Sequence, residues 1–233
     1  MKKIFTTAVI LLFISILQSQ TQSGSVIYCI KSISFKPADN GKQKDLINDI
    51  IENAEKQKFK LEFTSKKSKF CFLKNINNEA NASQDVIDRL ASLRFTSDFD
   101  YYLDKNSGIE FLHKTNGLII KRKQVKLAWK ITNETKIIDN YTCYKAELIK
   151  TYIARDNKQK SITVTAWFAP SLSFPYGPKD YNGLPGLILE LNEKDTTYLV
   201  TKIDLDVKEK EISFPKGKTI TQEEYDQRVM LGN

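Results

Sequence analysis

Polar and apolar positions change their rhythm twice along this chain. After Met1, Lys2 and Lys3 an apolar run covers 4–17, interrupted only by Thr6, Thr7 and Ser15, and a polar exit follows over 18–22. A positive start, about 14 mostly apolar positions and a small-residue exit predict a secretory signal peptide over 1–20, cut near Ser19 or Gln20. The run is short of the roughly 20 residues of a membrane-spanning helix, and an uncleaved N-terminal anchor is the alternative. No cysteine stands at the exit, so lipid attachment is not expected there.

From residue 25 onward the dominant period is two. Residues 25–35 read as an opening strand, broken at Pro37 to Gly41. Residues 42–58 switch to a spacing of three and four: Leu46, Ile47, Ile50, Ile51 and Ala54 share one face, which predicts an amphipathic helix. Residues 59–64 and 68–73 form a hairpin. A polar stretch over 75–83 leads to a second short helix over 84–93, with Val86, Ile87, Leu90 and Leu93 on one side. A meander follows over 99–103, 109–113 and 118–125, and Gly108 and Gly117 supply the positive φ its turns need. Further strands are expected over 129–131, 135–139, 141–153 and 160–168, the last two joined as a long hairpin across Arg155 to Lys158. A Pro/Gly-rich loop occupies 170–185. Residues 187–191 and 198–207 make a final hairpin, and Thr221-Gln222-Glu223-Glu224 reads as a capping box opening a C-terminal helix.

Ten or so strands with short turns and two or three helices predict a mainly β (α+β) fold. The expectation is one domain over 21–233: a large curled antiparallel sheet or half-open β-barrel packed on one or two helices. The helix over 42–58 is expected to lie in the concave face; a two-layer sandwich is the alternative. Apolar content of 41% and aromatic content of 11% suffice for a real core. Removing Lys2 and Lys3 with the signal lowers the formal charge from +8 to +6. Most lysines alternate with apolar residues, as in Phe59-Lys60-Leu61-Glu62-Phe63, which is how a solvated sheet face reads. Lys121-Arg122-Lys123 with Lys126 is the densest basic run: a solvated strand, or a contact for anionic lipid or glycan. Nucleic acid is not expected as a partner of an exported protein.

Export permits disulfides. Cys29, Cys71 and Cys143 allow three single pairings and always leave one thiol over. Each cysteine sits in a strand pattern, so buried free thiols are as much expected as a bridge; among the bridges Cys29 with Cys71 is preferred, because both fall on the polar parity of early strands. His113 is the single histidine, expected to be exposed or capping before a Lys-Thr-Asn-Gly turn. A Ser-His-Asp or Cys-His site would have to use it, and a histidine-based metal cluster is excluded by count. No phosphate-loop or dinucleotide glycine pattern is present, so no cofactor or metal is expected. Paired carboxylates for glycan cleavage remain open among 28 acidic residues. Asp180 and Glu190 are the first pair to inspect, with plain surface carboxylates as the other reading. Asp195-Thr196-Thr197 resembles an O-glycan acceptor tripeptide.

Gly183-Leu184-Pro185-Gly186-Leu187-Ile188 resembles the signature of the GLPGLI family. Around it stand Tyr141-Thr142-Cys143-Tyr144-Lys145-Ala146, Thr165-Ala166-Trp167-Phe168-Ala169-Pro170 and Tyr176-Gly177-Pro178, in the order of that family's core. The resemblance covers 129–191 strongly and implies exported proteins of Bacteroidetes-type bacteria with no established activity. More loosely, the chain is similar to a bowl-shaped N-terminal domain attached to a glycan-cleaving amidase. Ser171-Leu172-Ser173-Phe174-Pro175 departs from the family's acidic-then-Ile-Pro stretch.

Physically, Gly183 and Gly186 free two backbone positions and Pro185 fixes one between them. Leu187, Leu189 and Leu191 then enter a strand, so the motif reads as a rigid corner. It also reads as a ligand rim: small residues admit a partner to the backbone, and Trp167, Phe174, Tyr176 and Tyr181 offer aromatic faces suited to sugars, lipids or peptides. The candidate binding site is therefore Trp167, Phe174, Tyr176, Tyr181, Gly183, Pro185 and Gly186. The expected function is a non-enzymatic envelope protein, periplasmic or secreted and soluble once its signal is removed. It would bind an apolar or glycan ligand (lipid or sugar) or dock an outer-envelope protein. A carboxylate-dependent hydrolase acting on glycans and a purely structural role are the alternatives.

Overall fold

The structure, a computed structural model, describes residues 23–36, 41–73, 82–153, 158–206 and 211–231. The expected signal peptide, most of the polar stretch over 75–83 and the turn at Arg155 to Asn157 lie outside the described residues. Among the described residues twelve strands form one sheet. They are β1 Ser23–Ile33, β2 Lys58–Thr64, β3 Lys67–Phe72, β4 Phe99–Asp104, β5 Ile109–Lys114, β6 Ile119–Lys123, β7 Lys130–Ile138, β8 Tyr141–Ile153, β9 Gln159–Ala169, β10 Leu187–Glu193, β11 Thr196–Asp206 and β12 Thr219–Ile220. The strands expected over 129–131 and 135–139 are one strand, β7, with a register shift between Ile131 and Thr135.

The spatial order is β12-β6-β5-β4-β3-β2-β1-β11-β10-β9-β8-β7. A first meander walks outward from β1 to β6. A second returns from β7 to β11, which seats against the free edge of β1. The order has two ends, so the sheet curls without closing. All ladders are antiparallel except Thr219–Ile220, which runs parallel to Ile119–Ile120. The departure has a cause: the chain leaving β11 must cross the sheet to reach β6, and such a crossover can deliver a parallel strand.

Alternation builds the core. Val26, Tyr28, Phe59, Leu61, Phe63, Phe70, Val164, Ala166, Leu191 and Tyr198 are at most 1% exposed and share one cluster. The hollow of the sheet is filled not by the first helix but by Leu172, Phe174, Tyr176, Tyr181 and Leu184, from the loop between β9 and β10. Phe174 meets Phe63 with ring centroids 4.5 Å apart. Helix α1 (Gly41–Lys56) instead joins α2 (Ala82–Arg94), where Ala54, Ala91 and Phe95 form a separate small cluster with Ile33, Phe35, Ile50 and Ile51. The placement expected for α1 is thus corrected: the loop brings larger side chains, and the narrower Ile/Ala stripe finds its partner in α2. Gln57 fastens this junction through Thr96 (2.5 Å) and Ser92 (3.1 Å).

Helix α3 (Gln222–Met230) starts at the expected capping box: Glu224 N–H donates to Thr221 Oγ1 (3.2 Å) and Thr221 N–H to Glu224 Oε2 (2.7 Å). The three thiols are free. Cys29 on β1 and Cys71 on β3 are separated by β2, about 10 Å at strand spacing, beyond what a disulfide spans. No helix among the described residues is long and apolar enough to cross a membrane.

Candidate functional site

The loop over 170–186 is a compact plug. Phe174 N–H donates to Leu172 O and Tyr176 N–H to Phe174 O, which coils the entry. Leu187 N–H then reaches Leu172 O (2.9 Å) and Ile188 N–H reaches Tyr176 O (3.0 Å), so the loop lies alongside the strand it enters. Two glycines are required by contact. A Cβ on Gly177 would meet Ile188 and Tyr181 O, and one on Gly186 would strike the Ala169 carbonyl and Pro170 Cα. Gly183 is required by conformation, at φ 89°. The hexapeptide is therefore a corner that drives Leu184, Leu187, Ile188 and Leu189, each at most 1% exposed, into the core.

Charge fastens the plug at two points. Lys179 donates to Glu193 on β10 (2.5 Å), and Tyr181 Oη donates to the same carboxylate (2.6 Å). Its neighbour Asp180 accepts from Arg122 on β6 (2.7 Å), and Arg122 also donates to Glu110 on β5 (2.8 Å) and to Gln222 of α3 (3.2 Å). Two consecutive residues thus tie the loop to opposite meanders. Lys179 sits at φ 55°, a left-handed conformation that costs a non-glycine residue about 1–2 kcal/mol. The paired side chain holds it there. Asn182 completes the cluster: it accepts from Gln124 (2.8 Å) on its side chain and from Trp129 Nε1 (3.0 Å) on its carbonyl.

The environment drives the two Arg122-bound carboxylates apart. Burial raises the Glu110 carboxyl above its ordinary range despite Arg122. Burial also opposes ionisation of Asp180, but Lys150 and Arg122 outweigh it and hold the carboxyl below its ordinary range. Glu193 is likewise lowered, because Lys179 and the Tyr181 hydrogen bond overcome its burial. The space left here is about 10 Å³, lined by Ser68, Tyr101, Glu110, Tyr176, Asp180 and Asn182 among others. That is room for one water molecule, far below a saccharide.

The seven residues expected as a rim are not one surface. Phe174, Tyr176 and Tyr181 are core side chains, 8%, 1% and 1% exposed. Gly186 is buried, while Gly183 and Pro185 are exposed at the turn of the loop. Trp167 lies on the outer face of the sheet, half-buried, with Lys136 Nζ 4.3 Å from its ring centroid. Glu190, its register partner on β10, accepts from Lys136 (2.8 Å) and Lys31 (3.3 Å). Asp180 and Glu190 therefore belong to opposite faces; the carboxylate that does stand with Asp180 is Glu110. His113 is half-buried on β5. Among the described residues no three His, Cys, Asp or Glu side chains converge to hold a metal.

Sequence reasoning missed Glu110, Arg122, Lys179, Glu193 and Trp129. A signal existed for two of them. Glu110 shares the inward parity of Leu112, and Arg122 that of Ile120, so alternation alone places both inside. The basic run Lys121-Arg122-Lys123 hid the fact that its middle member faces the other way.

Residues 153–190, which hold the hexapeptide, match the model of a family described as "Protein of unknown function (Porph_ging)". No curated protein matches the chain. Two solved structures of PNGF-II, in the C2 and P21 space groups, align with TM-scores of 0.54 and 0.55 at 15% and 16% identity. The alignments cover 91% and 89% of this chain and 33% of each PNGF-II chain, so the chain spans about a third of their length. At that identity the likeness is one of fold. The chain is thus similar in architecture to part of PNGF-II and, over the plug and its flanking strands, to a family of unknown function.

Proposed function

We propose that this chain is a non-catalytic interaction module of an exported, envelope-associated protein, and that a glycan or an envelope protein meets it at the exposed turns of the 170–186 loop. The observation that carries this reading is the plug itself. A ligand in the hollow would have to displace Phe174, Tyr176, Tyr181 and Leu184, none more than 8% exposed, and break the ties of Lys179 and Asp180. The reading therefore favours the rim over an apolar ligand within the sheet. There Ser171, Ser173, Gly183 and Pro185 are exposed on a backbone already fixed from below, and a preorganised loop loses little entropy on docking. The N-terminal pattern over 1–22 supports export.

A second reading, a glycan-directed hydrolase, has one observation in its favour. Glu110 and Asp180 share Arg122 while their proton affinities are pushed in opposite directions, as in acid–base pairs. Space counts against it, since about 10 Å³ admits no sugar ring. The test is a titration of the purified protein with envelope glycan fragments and envelope proteins, followed by intrinsic fluorescence and calorimetry. Saturable binding that disappears in Ser171→Glu/Ser173→Glu, at unchanged thermal stability, is expected. Glycan turnover abolished by Glu110→Gln would establish the hydrolase instead. Neither binding nor turnover would leave a structural role.

A further inference from the structure

The outer face of the first meander gathers lysines from stretches far apart in sequence. Lys69, Tyr102, Phe111 and Lys121 are register neighbours across β3–β6, and Lys67, Asp104, Ile109 and Lys123 form the adjoining row. At sheet spacings the two lysines of a row stand about 14 Å apart, and the rows about 7 Å. Between them the segment before β12 crosses, and Phe214 packs edge-on against Tyr102 and Phe111, both at 5.7 Å. The ammonium groups of Lys67, Lys69 and Lys121 sit over the rings of Phe214, Tyr102 and Phe111 at 5.3, 5.6 and 5.9 Å.

Lys136 and Lys145 on the second meander and Lys179 in the loop each hold a carboxylate. Among the described residues, Lys67, Lys69, Lys121 and Lys123 hold none. The nearby carboxylates are engaged: Glu62 pairs with Lys60 (2.7 Å), Asp104 accepts the amides of its own turn at Asn106 and Ser107, and Asp100, close to Cys71 and Tyr102 on the same face, has a partner of its own. Past Ile120, where β12 no longer pairs with β6, lies a groove of about 540 Å³ lined by Ser107, Gly108, Ile109, Lys121, Arg122 and Lys123 among others. No carboxylate lines it, and its size suits a small ligand.

We propose that this face binds an acidic polysaccharide, with one or two of its sugar units in the groove beside Lys121 and Lys123 and the chain continuing over Lys67 and Lys69. Ammonium groups without a carboxylate partner, set on either side of a partly aromatic ridge, complement a chain that repeats carboxylate or sulfate groups along apolar sugar faces. An anionic bilayer fits less well. The rings lie buried or half-buried beneath the lysines and leave nothing to insert, and charge alone anchors weakly. A second copy fits less well still, because the chain carries a formal charge of +8. The site is independent of the loop rim and stands or falls separately.

The test is fluorescence anisotropy of labelled heparin and polygalacturonate oligosaccharides with the full chain, against labelled dextran and against vesicles of phosphatidylglycerol in phosphatidylcholine. The acidic oligosaccharides should bind and dextran should not, and affinity should fall about tenfold or more between about 50 and about 300 mM salt. Lys121→Glu/Lys123→Glu should weaken binding about tenfold or more and Lys67→Gln/Lys69→Gln severalfold, with unfolding temperatures unchanged. Lys194→Glu/Lys202→Glu, on the second meander, changes net charge by the same amount as the first pair and should leave affinity within about twofold. An equal loss in that control, binding of dextran, or tighter binding of vesicles than of the acidic oligosaccharides would overturn the proposal.

Discussion

Replacing Arg122 with methionine keeps the apolar stem but removes the charge that joins the loop, β5 and α3. The guanidinium lies 2.8 Å from Glu110, whose side chain is 5% exposed, and 2.7 Å from Asp180, whose side chain is 22% exposed. Without it both carboxylates stand with little water around them. Removing one partner of a buried pair costs about 3–5 kcal/mol. Asp180 is partly wet and keeps Lys150 nearby, so the lower end, about 3 kcal/mol near neutral pH, is expected. For a chain of this size that is a fall of about 6–12 °C in unfolding temperature.

The sign of the pH dependence separates this mechanism from simple loss of packing. In the wild type Asp180 is held below its unfolded value, so its contribution is present above that value and is lost as pH falls through the folded one. Glu110 is raised, so its contribution is complete below its unfolded value and is lost as pH rises through the folded one. Without Arg122, Glu110 stays in the second class, and Asp180, left with Lys150, moves toward it. The penalty must therefore shrink on acidification, to about half or less near pH 5. Urea unfolding of both proteins at the two pH values measures it. A penalty below about 1 kcal/mol near neutral pH, or one that is equal at both, would refute the brace.

Gly186→Ala should cost about 3 kcal/mol, the top of the range for overpacking, because its Cβ meets backbone at Ala169 and Pro170 rather than a side chain that can turn away. Gly183→Ala meets nothing within 4 Å and should cost about 1–2 kcal/mol, from its left-handed φ alone. Denaturant midpoints rank the two, and the reverse order would contradict the corner. Burial pushes the Cys143 thiol up to about 11 and also raises that of Cys71, but Cys29 and Cys71 are only half-buried and within reach of a reagent. Native alkylation followed by peptide mass spectrometry should mark Cys29 and Cys71 while sparing Cys143, which labels only on unfolding. Early labelling of Cys143 would mean that the end of β8 opens.

Much of the architecture was legible because one face of nearly every strand is buried. Alternation in 59–64, 68–73, 99–103 and 109–113 marks β2 to β5 to within a residue or so. Connectivity followed from short turns. The occupant of the hollow was not legible. Residues 42–58 carry an obvious stripe, whereas 170–186 carry no period at all, and irregular segments reveal which side chains turn inward only when the backbone is in place. The parallel β12 was hidden for a related reason: two residues cannot show a period. At the site, the aromatic and glycine residues were visible as types but not as places. Trp167 and Phe168 are neighbours in sequence, yet a strand sends them to opposite faces, one beside Lys136 and the other into the core.

The segment over 153–190, the part that matches a family model, is also the part that closes the hollow. It contributes all of β9, the plug, the Lys179–Asp180 brace and the corner into β10, and each of these has a packing or pairing reason to be as it is. A motif so fully engaged in holding the sheet together has few side chains free for recognition. The unpaired ammonium groups of Lys67, Lys69, Lys121 and Lys123 belong to β3 and β6, outside that segment. If chains sharing the plug differ in what they bind, the difference should be sought on the outer strand faces and loop turns. Exchanging β3 and β6 outer-face residues between two such chains should transfer binding preference while the unfolding temperature stays put. Transfer by exchanging the plug instead would place recognition back in the loop.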